Sequence, residues 1–111
     1  MSQAKTLMIG VKQTILNAVT ATGAGTTFGL PTRACFLAWQ TSFNIAPGAF
    51  NATLRVSLDG VVWTVLDTTT STAGEVRTIT APTAAIFVDV NVVTNTGARE
   101  ATVTIIAKAA A

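Results

Sequence analysis

The 111-residue sequence contains no histidine, no tyrosine and a single cysteine. Without histidine, a nucleophilic serine or Cys35 would need lysine or a carboxylate as its base. One cysteine forms no internal disulfide, and no His or Cys pair has the spacing of a zinc site. These absences argue against an enzyme, a cofactor-dependent protein and a disulfide-stapled secreted module.

Charged residues are also scarce, at 11% of the chain, against about 25% in a typical soluble domain. The formal charge is +2, and the basic residues are scattered rather than clustered into the basic patch that nucleic-acid binding requires. The apolar run before Lys12 is too short for a signal-peptide core or a membrane span. The sequence therefore predicts cytoplasmic synthesis, neither a nucleic-acid nor a membrane partner, and a weakly charged surface that suits permanent assembly.

The few carboxylates have structural interpretations. Asp59 precedes a glycine in a turn, Asp67 ends a strand, and Glu75, Asp89 and Glu100 are predicted to be solvated strand positions. No run of acidic residues forms a calcium loop, although a weak calcium site made from loop carbonyls and one aspartate is left open. Cys35 lies in the most apolar strand, which predicts a buried, inert thiol.

Threonine is the commonest residue, followed by alanine and valine, and turn signals recur at short intervals, so the pattern indicates an all-β protein. We predict one domain, residues 1–111, with the fold of an antiparallel β-sandwich of jelly-roll or Ig-like type and about seven or eight strands. Residues 1–12 are predicted to begin the chain as an arm. The candidate strands are 6–17 (broken at Gly10), 33–42, 52–58, 61–67, 75–80, 85–93 and 99–107.

The segment VSLDGVVW, residues 56–63, predicts a β-hairpin with a two-residue turn at Asp59-Gly60. In that register one face of the hairpin carries only apolar side chains, and Arg55 lies on the other face. Trp63 is then a core residue rather than a ligand platform. The predicted core positions of this hairpin are Leu54, Val56, Trp63 and Val65.

A second hairpin is predicted near the C-terminus, with Val88 opposite Val103. The strand ACFLAWQTS, residues 34–42, is apolar on both faces, which predicts burial on both sides, either within the fold or against a partner.

Three aromatic residues are candidates for contact with a partner. Phe43 and Phe50 flank the loop NIAPGA, and Phe87 lies on the otherwise polar face of its strand. Arg55 joins them, because aromatic residues and arginine are frequent anchors of protein interfaces. The alternative is that the three aromatics cover the ends and edges of the sandwich.

The segments NAVTATGAGTTFGL, ATLRVSLDGVVWTVL and AAIFVDVNVV resemble the small β-sandwich virion proteins of tailed bacteriophages, over about residues 16–107. The resemblance implies a head decoration or cement protein, assembled in the host cytoplasm and carried on the capsid surface. Its implied partners are the major capsid protein and further copies of itself, as a trimer for example. The SLDGxxWxxL pattern also occurs in discoidin-like carbohydrate-binding sandwiches. A carbohydrate-binding fibre or tail accessory protein is therefore the alternative.

Overall fold

A computed structural model of the chain describes residues 5–31 and 35–109. This part of the chain is all β, with no helix. The strands are β1 (Lys5–Thr6), β2 (Gln13–Val19), β3 (Gly23–Ala24), β4 (Phe28–Gly29), β5 (Cys35–Phe43), β6 (Phe50–Ser57), β7 (Thr64–Thr69), β8 (Glu75–Thr78), β9 (Phe87–Asn95) and β10 (Ala101–Ala109).

The strands form two sheets that pack as a sandwich. The first sheet has the order β1-β4-β9-β6-β7, with β3 also paired to β9, and the second has the order β2-β10-β5-β8. Pairing is antiparallel except between β1 and β4. If β3 and β4 are taken as one interrupted strand and counting starts at β2, the sheets read 2-7-4-5 and 1-8-3-6. That order defines a jelly roll, so the predicted β-sandwich is confirmed in its jelly-roll form.

The core lies between the sheets and follows the period-two alternation of the strands. In β5 and β10 alternate residues are buried, and β6 repeats this pattern over its first five residues. Leu54, Val88 and Val103 are fully buried at the centre, and Val56 is half-buried against the same cluster. The largest buried side chain is Trp39. Cys35 is fully buried, and burial raises the pKa of its thiol, as expected for an inert residue.

The predicted C-terminal hairpin was wrong, because β9 and β10 lie in different sheets. The chain crosses between the sheets after Asn95, where Gly97 and Ala98 both have positive φ. Val88 and Val103 each face the core from their own sheet. Apolar alternation indicated that both strands face the core, and packing across the sandwich meets that requirement as well as pairing does.

The hairpin of β6 and β7 forms, but its register differs from the prediction. Val56 pairs with Thr64 and Arg55 with Val65, whereas Leu54 pairs with Asp67. Leu66 is therefore an extra residue in β7, a β-bulge. Val65 shares the outward face with Arg55 and is 54% exposed, so its assignment to the core was wrong. The cause is a six-residue connection, 58–63, in place of the expected two-residue turn.

The N-terminal segment lies along the sandwich over its described residues. β1 pairs with β4, Leu7 is buried, and the Gly10 amide donates to the Ala107 carbonyl at 2.7 Å. Residues 5–10 thus contribute to the domain rather than extending away as an arm, while residues 1–4 of the predicted arm lie outside the described part.

A hydrogen-bonded cluster joins the two sheets at the edge formed by β7 and β8. The indole Nε1 of Trp39 donates to Asp67 Oδ2 at 2.9 Å, and Arg77 donates to both Asp67 oxygens, at 2.8 and 3.0 Å. Glu75 accepts from Arg77 at 3.1 Å and from the Thr69 hydroxyl. Asp67 faces the other sheet, with 16% of its side chain exposed, whereas the Glu75 side chain is hydrogen-bonded but 33% exposed, so Glu75 is a partly solvated strand position.

These hydrogen bonds keep both carboxylates ionised. Burial alone would raise the pKa of Asp67, but the hydrogen bonds from Arg77 and Trp39 outweigh it and lower the pKa. The Thr69 hydroxyl lowers the pKa of Glu75, burial opposes this, and Arg77 lowers it further. Carboxylates with lowered pKa values in the folded state stabilise it above their unfolded-state pKa, near 4.

We therefore predict that the free energy of unfolding is flat near neutral pH and falls as the pH drops below about 4. Asp67→Asn should lower stability at pH 7 and flatten this acid dependence. Denaturant titrations at several pH values, followed by tryptophan fluorescence, measure both effects. Glu100→Gln, at an exposed carboxylate, is the control. Equal acid sensitivity in the wild type and Asp67→Asn would contradict the assignment.

Candidate interaction surfaces

The described residues hold no constellation that points to catalysis or metal binding. No three His, Cys, Asp or Glu side chains gather there as a metal site would require. Asp67 and Glu75 lie close together, but both are bound to Arg77, which suits a structural role. Within the same residues no helix is long and apolar enough to cross a bilayer.

The first surface is the connection between β6 and β7, residues 58–63, which we call the tip loop. Ser57 Oγ accepts from the Gly60 amide at 2.9 Å and donates to Asp59 Oδ1 at 3.0 Å. The same Asp59 oxygen accepts from the amides of Val61 and Val62 at 2.8 and 2.9 Å. The amides of Val62 and Val61 lower the pKa of Asp59. The loop is thus held by its own polar groups.

Because those polar groups are bonded inward, the tip loop presents aliphatic side chains to solvent. Leu58, Val61 and Val62 are exposed, Val61 by 79%. Leu58 and Val62 lie beside Leu66 and the segment 82–85, and together these residues line an open cavity of about 580 Å³. A rigid loop of this kind loses little conformational entropy when it docks, which favours binding.

The tip loop rests on a stack of three side chains over the outer side of the first sheet. Asp89 is 2% exposed and forms a two-point ion pair with Arg55, at 2.7 and 2.9 Å. The Arg55 guanidinium lies 5.1 Å from the centroid of the Trp63 ring, a cation–π contact. The predictions that Asp89 is solvated and that Arg55 lies on the face opposite Trp63 were therefore wrong. Trp63 is half-buried on this stack and outside the core cluster.

The aromatic contact candidates fall into two places. Phe50 is 4% exposed and belongs to the core, so it is not an accessible contact residue. Phe43 packs edge-on against it, with ring centroids 4.7 Å apart. Phe87 is half-buried near Gly60, 3.6 Å from where a Cβ at Gly60 would lie. Phe43 and Phe50 fit the alternative interpretation, in which aromatics cover an end of the sandwich.

The second surface is the outer side of the second sheet. Phe36 and Ala38 of β5 lie there beside Ile106 of β10 and Val76 of β8, and we call these four residues the apolar sheet face. Phe36 is 38% and Val76 62% exposed. Two adjoining cavities of about 570 and 130 Å³ lie along this face and share Ala38 and Ile106. The second apolar side of β5, predicted to be buried, is thus left uncovered in the single chain; Ala34 lies outside the described residues.

Sequence reasoning found only part of these surfaces. It identified β5 as apolar on both sides, but it predicted a two-residue turn in place of the exposed tip loop and did not single out Val76 or Ile106. The signal for Ile106 was present, because Thr104 and Lys108 alternate with the buried residues of β10. No comparable local signal marks Val76, which joins this face only through the pairing of β8 with β5.

No protein-family model matches the chain, and no curated protein matches it significantly. The function is therefore argued from the fold and the two surfaces.

The positions of the two tryptophans predict different costs of truncation. Trp39→Ala empties a fully buried site and should lower the free energy of unfolding by about 3–5 kcal/mol. Trp63→Ala removes a half-buried ring and one cation–π contact, and should cost about 1 kcal/mol. Equilibrium unfolding in urea measures both. Equal losses would show that Trp63 is a core residue after all.

The Arg55–Asp89 ion pair predicts that the loss of Arg55 lowers the free energy of unfolding more than the loss of the Trp63 ring does. Arg55→Met leaves the Asp89 carboxylate buried without its partner and should cost about 3 kcal/mol or more. Arg99→Met, where no ion pair exists within the described residues, is the control. The double variant with Asp89→Leu should recover much of the loss, since it removes the unpaired charge. An Arg55→Met protein as stable as the wild type would contradict the pairing.

Proposed function

We propose that the chain is a bacteriophage virion structural protein, a capsid decoration or cement protein that binds and stabilises the shell of major capsid protein. The observation that carries the proposal is the apolar sheet face. Phe36 and Val76 remain exposed on a weakly charged sheet surface, and exposed apolar patches of this kind mark protein contacts. The low charge elsewhere suits a subunit that is always assembled.

The mechanism of such a protein is mechanical. Apolar surface removed from water stabilises a contact by about 25 cal/mol per Å², so small contacts repeated over a closed shell add up. The rigidity of the sandwich matters here, because a subunit that bridges two capsid proteins must resist their separation. The core and the Asp67 cluster supply that rigidity.

The fold gives support of a weaker kind. Jelly rolls are common among viral capsid and lectin domains, but fold alone does not define function. The resemblance of the segments around TATGAG and SLDG to phage virion proteins points in the same direction. Both considerations favour the proposal only in combination with the uncovered sheet face.

The experiment uses a major capsid protein encoded near the gene for this chain, assembled into empty shells. We expect the purified chain to co-sediment with these shells and to raise the temperature at which they disassemble. Val76→Asp, at an exposed position of the apolar sheet face, should abolish co-sedimentation. Val93→Asp, at an exposed position of the first sheet, should not.

Two results would contradict the proposal. One is a folded chain that stays in the supernatant with every shell tested. The other is a genomic neighbourhood without portal, protease or capsid genes. Binding that survives Val76→Asp would retain the function and reject the apolar sheet face as its basis.

The second candidate function, carbohydrate binding in a fibre or tail accessory protein, is favoured by the position of Trp63. The ring is half-buried and lies 5.1 Å from the Arg55 guanidinium, and sugar sites use aromatic faces beside polar groups. Trp63→Ala leaves the core intact, so a glycan-array comparison with the wild type is a clean test. Loss of glycan binding in a folded variant would support this function over the first.

A further inference from the structure

We propose that two copies of this chain bind head to tail, with the tip loop of one copy seated on the apolar sheet face of the next. In such an assembly a second copy covers the apolar sheet face, so self-association and binding to a capsid shell compete for this face. The inference rests on the apolar character, the charges and the positions of the two surfaces.

The two surfaces are alike in chemistry and complementary in form. The tip loop projects Leu58, Val61 and Val62, whose backbone is fixed by Ser57 and Asp59. The apolar sheet face is a shallow concavity with Ala38 and Ile106 at its centre. A projecting aliphatic loop and a concave apolar sheet can cover each other, whereas two copies of either surface match less well.

The charges of the two surfaces are opposite. Among the described residues lining the cavities of the apolar sheet face, the charged ones are Lys12 and Lys108, and none is a carboxylate. The cavity beside the tip loop is lined by one charged residue, Asp59, a carboxylate that is ionised at neutral pH and whose pKa the local amides lower further. Opposite charges at an interface steer association and disfavour wrong pairings.

The same charges argue against symmetric pairing. Two tip loops in contact would bring two Asp59 carboxylates together, and two sheet faces would bring lysines together, which is unfavourable. The tip loop lies over the first sheet and the apolar sheet face is on the second, so a head-to-tail pair has a free tip loop on one copy and a free apolar sheet face on the other. Further copies add to these free surfaces until a ring closes, so we expect three or more copies.

The test begins with the size of the purified protein, measured by analytical ultracentrifugation over a range of concentrations. We expect the wild type to form a closed oligomer of three or more chains. The double variant Val61→Ser with Val62→Ser disrupts the tip loop, and Val76→Asp disrupts the apolar sheet face. Each variant should be monomeric where the wild type is assembled, and any association should require at least ten times the protein concentration. Ile45→Ser, at an exposed aliphatic residue of another loop, is the matched control and should remain oligomeric.

Mixing the two defective variants identifies the geometry of the contact. The Val76→Asp protein keeps a working tip loop, and the Val61→Ser, Val62→Ser protein keeps a working sheet face. A head-to-tail contact therefore predicts a one-to-one heterodimer that grows no further, although neither variant self-associates. Lys108→Glu should weaken the wild-type oligomer because it replaces an attractive charge with a repulsive one. Circular dichroism of each variant confirms that it is folded.

Three results would overturn the inference: a monomeric wild type, a dimer as the largest species, or no heterodimer on mixing folded variants. These outcomes are separate from those for the proposed function. An oligomer that ignores capsid shells would retain the head-to-tail contact and reject the capsid role. A monomer that binds shells would do the reverse.

Discussion

The contact on which the structure depends is the one between Trp39 and Asp67. A jelly roll is held along most of its length by apolar packing, but at the edge formed by β7 and β8 the two sheets also meet through hydrogen bonds to the carboxylates of Asp67 and Glu75. Asp67 accepts hydrogen bonds from Trp39 and Arg77, which both belong to the second sheet. Because Trp39 is also the largest buried side chain, the same residue fills the core and closes its edge.

Above this framework, the segment VSLDGVVW has a different role from the one its pattern indicates. Ser57 and Asp59 form a self-contained set of hydrogen bonds that leaves the following valines exposed to solvent, and the Arg55–Asp89 pair contacts the Trp63 ring that comes after them. The polar residues of the segment therefore serve to expose its apolar ones. The tip loop and the apolar sheet face thus share one property: both leave aliphatic side chains exposed and free for contact with a partner.

The sequence predicted the elements of this fold better than their partners. Period-two alternation located the strands around Trp39, Leu54, Val88 and Val103, because burial on one face follows directly from local residue order. It could not assign β9 and β10 to different sheets, since an apolar face is satisfied equally by pairing or by packing across the core. The register of β6 and β7 failed for a related reason: a bulge at Leu66 and hydrogen bonds from Ser57 are invisible to an alternation argument. Asp89 was misplaced because its arginine partner, Arg55, lies on another strand.

The bulge at Leu66 has a consequence for how copies of this chain can aggregate. β7 is an edge strand, and a regular edge offers a row of amides and carbonyls to which a strand of another molecule can add, the first step toward fibres. The extra residue breaks the spacing of that row. A protein with so little charge and so much exposed aliphatic surface is therefore hindered from uncontrolled cross-β growth along this edge. Its associations there are left to side chains, whose shape and charge can specify one partner.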